Sequence, residues 1–296
     1  MNSGVRSGML RAMRFLIKMI SNVRAPFFKA ASIAFFVAMF GAGEATSSCL
    51  IAGQKNEALT PLQREIERQR QRLKSEDIED RRDALMRLGN LKRLDASRVA
   101  AAGLTDVEPK VRVAALHAIL SLPQADAAPL LIPLLQDKTE FVRREAAYAL
   151  GETRSRSAVA ALTSLLLSDK DAGVRSAAAV ALGEIGDESA VEPLSAVLAG
   201  QPPKTKKPKA GANDSVKRAA ARSLGQIKSR AGVSVLIATL TNDANENDVR
   251  REAATALGRI GDASAGPALQ AAFASSDPYL AEAARTALRR LKSLKN

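Results

Sequence analysis

Val142-Arg-Arg-Glu-Ala-Ala-Tyr-Ala-Leu-Gly151, Val174-Arg-Ser-Ala-Ala-Ala-Val-Ala-Leu-Gly-Glu-Ile-Gly-Asp187 and Val249-Arg-Arg-Glu-Ala-Ala-Thr-Ala-Leu-Gly-Arg-Ile-Gly-Asp262 are three copies of one unit. With the Val as position zero, apolar residues recur at zero, +4, +7, +8 and +11, as in Val174, Ala178, Ala181, Leu182 and Ile185. That spacing is one face of a helix with 3.6 residues per turn. Val111-Arg112 and Val216-Lys217 open two further copies, so the five starts are spaced by 31, 32, 42 and 33 residues. Divergent copies begin at Asp80-Arg81 and Leu280-Ala281, which makes seven with one insertion. Self-similarity at such a period is the mark of a solenoid, whose units bury their apolar faces only by stacking.

A second apolar segment lies between copies, at 127–135, 158–167, 190–198, 233–240 and 264–273, so each unit reads as two short helices. The expected fold is all-α: a right-handed α-α superhelix of about seven helical hairpins over residues 75–293, similar to an armadillo/HEAT-type solenoid. Composition agrees, since Trp is absent, aromatic residues make up 3%, and residues that favour strands are scarce. At +9 most copies carry glycine (Gly89, Gly151, Gly183, Gly225, Gly258), while the last carries Arg289. Glycine inside a helix costs about 1 kcal/mol relative to Ala, so its recurrence predicts close approach of the neighbouring unit. Asp106, Asp137 and Asp169 each precede an arginine by six residues (Arg112, Arg143, Arg175), and Asp243 precedes Arg250 by seven. The pattern predicts helix capping and charge pairing between successive units, a property of the building block rather than of a site.

These runs resemble HEAT repeats, and more narrowly the short Ala-rich type of phycobilin lyase subunits. The resemblance covers about three quarters of the chain and implies the fold; the repeat serves many unrelated binding proteins, so it implies binding without naming a partner. A bilin lyase-like activity follows from the narrower likeness, but an export signal opposes it because chromophore attachment takes place in the cytoplasm. Deoxyhypusine hydroxylase, of similar architecture, holds iron through paired His-Glu motifs, whereas the single histidine here, His117, is followed by Ala118. HEAT-like DNA glycosylases rely on aromatic residues in a basic groove, and this chain has no Trp.

One cysteine and one histidine also rule out a Cys/His zinc site and an intrachain disulfide. No catalytic residue, metal or cofactor is expected. The repeat register places no acid or nucleophile beside His117, which falls at +6 with Met86, Tyr148, Val180, Arg222, Thr255 and Thr286. A column so varied reads as surface, and Tyr148 as a partner-contacting position within it.

Residues 1–29 hold six bases and no acid, followed by an apolar run from Ala30 to Gly43 and small residues around 43–47. That order predicts a signal peptide over 1–45, or an uncleaved anchor, and with it export to a bacterial periplasm; Met19 offers a second start. Cys49 lacks the large aliphatic residue a lipoprotein signal carries three positions upstream, and so reads as incidental. Residues 46–74 are expected to form a charged linker or capping helix. The insertion, 200–213, is rich in Pro, Gly and Lys and reads as a solvated loop. From Lys204 to Arg230 nine bases face Asp214 alone, a balance of +8. The whole chain carries +13 and residues 1–45 carry +5, so this one stretch accounts for the rest. Local basicity predicts a partner: another protein with an acidic surface or an anionic envelope component, not nucleic acid, with the membrane touched only through an uncleaved leader. The partner-binding candidates are Lys204, Lys206, Lys207, Lys209, Arg218, Arg222 and Tyr148. The function read from these features is a non-catalytic scaffold or adaptor; a cytosolic polyanion-binding repeat protein is the other alternative.

Overall fold

A computed structural model describes residues 59–200 and 212–293, all within one compact unit that begins at Leu59. The leader, Cys49 and Lys204, Lys206, Lys207 and Lys209 lie outside the described residues. No strand occurs among the described residues. Among these described residues fourteen α-helices alternate in two layers. The column helices, which carry the repeated motif, are α2 (Ile78–Asn90), α4 (Pro109–Ala118), α6 (Glu140–Thr153), α8 (Ala172–Ile185), α10 (Ala212–Ile227), α12 (Asn247–Ile260) and α14 (Pro278–Ser293). The second layer is α1 (Pro61–Arg72), α3 (Leu94–Ala100), α5 (Gln124–Leu131), α7 (Val159–Ser168), α9 (Val191–Leu198), α11 (Val233–Thr241) and α13 (Gly266–Phe273). Each column helix packs on the next column helix and on its neighbours in the second layer, which gives seven hairpins stacked in chain order.

Helix ends follow their residues. Thr60 Oγ1 accepts from the Gln63 N–H and Gln63 Oε1 accepts from the Thr60 N–H, a capping box that starts α1 one residue before Pro61. α8 and α12 end at Gly186 and Gly261, whose φ values of 72° and 80° suit a residue without Cβ. Within 46–74, the described residues form α1, whose Ile66 is buried in the core. The insertion is shorter than expected from composition: Ala212 and Asn213 already belong to α10.

The core is a ladder of small and branched side chains. Position +8 supplies Leu88, Ile119, Leu150, Leu182, Leu224 and Leu257, all fully buried, each contributing about 1.5–3 kcal/mol relative to exposure. Position +7 of one column helix meets the +9 glycine of the helix before it. A Cβ on Gly89 would lie 3.1 Å from Ala118 Cα, on Gly225 2.8 Å from Ala256 Cα, and on Gly258 2.7 Å from Ala287 Cα. At Gly183 it would lie 2.7 Å from Ser223 Cβ. The glycine column is therefore a packing requirement, as its recurrence predicted. The copy that departs from it has Leu120 at +9; there α4 stops at Ala118, and α4 and α6 pack less extensively than the other successive column helices. Arg289, at the same column in α14, is exposed.

Candidate binding surface

The Asp–Arg pattern builds one edge of the stack. Arg81 pairs with Asp106, Arg112 with Asp137 and Arg143 with Asp169, each through Nε and Nη2 at 2.7–3.0 Å. Every arginine thus reaches forward to the aspartate of the next unit, while its Nη1 donates to the carbonyl of its own unit's acidic turn, as Arg112 does to Asp106 at 2.8 Å. The same aspartates cap the following turn, Asp106 Oδ1 accepting from the Glu108 N–H and Asp137 Oδ1 from the Thr139 N–H. Burial tends to raise the pKa of Asp106 and Asp137, but the arginine and backbone hydrogen bonds outweigh it and hold both below the usual carboxylate value. Arg250 departs from the ladder and pairs with the exposed Asp243 of its own unit, 2.8 Å away.

The solvent side of the column layer is formed by positions −1, +2, +3 and +6. Two pairings recur across it because successive column helices lie side by side. Position +6 meets +3 of the next unit: Arg222 Nη2 lies 2.6 Å from Glu252 Oε1, and His117 Nε2 lies 3.7 Å from Glu145 Oε2. Position +2 meets −1 of the next unit, as in Arg218 and Asp248 at 3.2 Å. The expectation that no acid flanks His117 is therefore corrected: Glu145 stands beside it, at ion-pair range and too far for a hydrogen bond. His117 itself is 52% exposed in its side chain.

The stack also alters the charge reading. Of the five bases from Lys217 to Arg230, Arg218 and Arg222 are paired as above and Arg230 approaches Asp262 at 3.7 Å. Lys217 donates to Asn245 Oδ1 at 3.0 Å, and Lys228 is exposed. The acids come from the following unit, about 30 residues on, so the basic excess of this stretch is smaller in space than along the chain. Tyr148 is half-buried at +6 of α6, on the same side of the layer as Arg218 and Arg222 but two or more units away.

Two grooves open on this side. One, between α10 and α12, is lined by Arg218, Arg222, Arg251, Asp248 and Glu252 among others, cations and carboxylates together. The other, bounded by α2, α4 and the start of α6, has an apolar floor and is described below. Among the described residues no group of three His, Cys, Asp or Glu side chains could hold a metal ion, and no helix is long and apolar enough to cross a membrane.

A family model of HEAT repeats matches residues 66–150, 137–207 and 209–289. The chain belongs to the HEAT-repeat family. None of the curated proteins matches it in sequence. Among solved structures, the YibA protein of Escherichia coli is similar over 78% of this chain and 82% of that one, with 20% identity and a TM-score of 0.53. The complex of CpcE and CpcF of phycocyanin lyase from Nostoc sp. covers 86% of this chain and 98% of that one at 22% identity, with a TM-score of 0.47. Human deoxyhypusine hydroxylase covers 78% and 96% at 21% identity, with a TM-score of 0.39. The family model and the likeness to YibA establish a HEAT-type solenoid and nothing about activity.

Proposed function

We propose that this HEAT protein is a non-catalytic scaffold or adaptor that binds another protein, outside the cytoplasm, through the solvent side of its column layer and its basic insertion. The observation that carries the reading is the contrast between columns. The buried positions repeat Ala, Leu and Gly, whereas the +6 column runs Met86, His117, Tyr148, Val180, Arg222, Thr255. Packing constrains the first set; what a partner presents constrains the second. The charge-then-apolar order of residues 1–43 supports export, and replacing Phe35 and Phe36 with Asp is expected to abolish recovery of a shortened, exported product.

Lys204, Lys206, Lys207 and Lys209 supply the long-range attraction for an acidic partner. Arg218 and Arg222, held by Asp248 and Glu252, add shape more than net charge. The test is affinity capture with mass spectrometry across a salt series. Changing the four lysines to Gln is expected to weaken capture and flatten its salt dependence with the melting temperature unchanged. Loss of solubility with capture unaltered would retire the loop as a recognition element.

A further inference from the structure

We propose that the groove between α2, α4 and the start of α6 receives an acidic peptide segment of a partner, which inserts one bulky apolar side chain. The inference rests on the protein-binding reading and assigns it a place and a chemistry. The groove encloses about 710 Å³, within the size range of sites that take a large side chain with its flanking backbone. Its lining joins apolar side chains, the buried Leu85 and Ala118 and the more exposed Met86, Val113 and Phe141, with Arg82, Lys110 and His117.

The repeat does not require this apolar exposure. Met86 is 53% exposed and Phe141 39% exposed. The positions equivalent to Phe141 in the next three units are Gly173, Ser215 and Asp248, and the +6 positions of α10 and α12 are Arg222 and Thr255. Met86 and Phe141 stand at the +6 and −1 positions that face the neighbouring unit, yet both leave much of their apolar surface in water rather than closing the seam. The Arg144 guanidinium lies 5.2 Å from the centre of the Phe141 ring, which holds the ring in place. Met86, with three flexible bonds and a polarisable sulfur, can adapt to anchors of different shape.

Charge selects the occupant. The residues lining the groove include Arg82, Lys110 and His117 and no carboxylate. Arg82 is paired at 2.9 Å with Glu79 just outside the groove, and Glu145 approaches His117 from α6. Lys110 is exposed and takes part in no ion pair among the described residues. Asp and Glu flanking the anchor would meet Lys110 and Arg82, whereas a basic segment would be repelled. The α10–α12 groove neutralises itself with Asp248 and Glu252, and its floor has no exposed large apolar side chain.

The test is selection of a displayed random dodecapeptide library on the full chain, followed by fluorescence-polarisation titration of the enriched peptides. Enrichment of a large apolar residue flanked by Asp and Glu is expected. Met86→Asp and Lys110→Glu, both at exposed positions, should each weaken binding about tenfold or more, with circular dichroism and melting temperature unchanged. Arg290→Gln, exposed in α14, should bind as the parent does, and the four-lysine loop variant should lose less than either groove variant. Enrichment of basic or anchorless peptides, no enrichment at all, or unchanged affinity in Met86→Asp would overturn the groove assignment. Binding lost in the loop variant but kept in Met86→Asp would place acid recognition on the insertion, leaving the protein-binding function standing and this inference refuted.

Discussion

The rungs before the insertion and those after it use different chemistry. Arg81, Arg112 and Arg143 each meet an aspartate of the next unit in a doubly hydrogen-bonded pair. Arg175, equally buried, meets Asn213 Oδ1 at 3.0 Å, and Lys217 meets Asn245 Oδ1 at 3.0 Å. An amide satisfies the donor's geometry and leaves its charge unmatched. Burial accordingly pushes the Arg175 guanidinium pKa down, with Asp169 and Asp171 opposing from a distance. The same register thus yields charged rungs in the first half and neutral acceptors on both sides of α10. From α6 to α12 the glycine column continues, so Gly183 packs on Ser223 beside the rung whose arginine meets an amide in place of a carboxylate.

The strongest test of this contrast is Asp137→Ala, which strands Arg112, 7% exposed in its side chain. Leaving a buried charge without its partner should cost about 3 kcal/mol, a drop of roughly 6–12 °C in melting temperature for a chain of this size. Replacing both residues, with Arg112→Met and Asp137→Leu, should recover most of that loss. An Asp137→Ala variant as stable as the parent would show the rung is ornamental. Next comes Gly183→Leu, which forces a side chain against Ser223 and should cost about 1–3 kcal/mol despite better helix propensity. A rise in melting temperature would mean the column does not need glycine.

A smaller effect of opposite sign is expected for Asn213→Asp. It supplies Arg175 with the carboxylate its counterparts already have, and should raise stability by about 1 kcal/mol in urea denaturation. Acid provides the mildest comparison. Asp106 and Asp137 are held below the ordinary carboxylate pKa in the folded protein. Their contribution is full above the unfolded-state value near pH 4 and is lost as pH falls through the lower folded values. Hydrogen exchange below about pH 4 should therefore loosen α2–α6 before the α8–α10 junction, and the amide rungs at Asn213 and Asn245 should not respond.

Much of this architecture was legible in the chain. The 3.6-residue recurrence from Val174 to Ile185 fixes a helix and its buried face, and a 31–33-residue period fixes the stack, because both depend on residues close in sequence. Glycine at +9 announced a tight neighbour because nothing within its own helix could justify it. Residue counts, however, made the stretch from Lys204 to Arg230 look uniformly basic, when Asp248, Glu252 and Asp262 fold against its arginines. His117 looked solitary for the same reason, its companion Glu145 being 28 residues away.

The sequence by itself determined the helical hairpins, their register and the column that must be glycine, since backbone periodicity and steric room are local properties repeated copy by copy. Only the tertiary structure decided that Arg112 reaches forward to Asp137, that Arg222 is neutralised by Glu252, and that Met86 and Phe141 share one groove with Lys110. Those outcomes depend on the offset between neighbouring helices, which sets position +6 against +3 and +2 against −1 of the next unit. No periodicity within a single unit encodes that offset; the volume of the side chains packed between the two helices sets it.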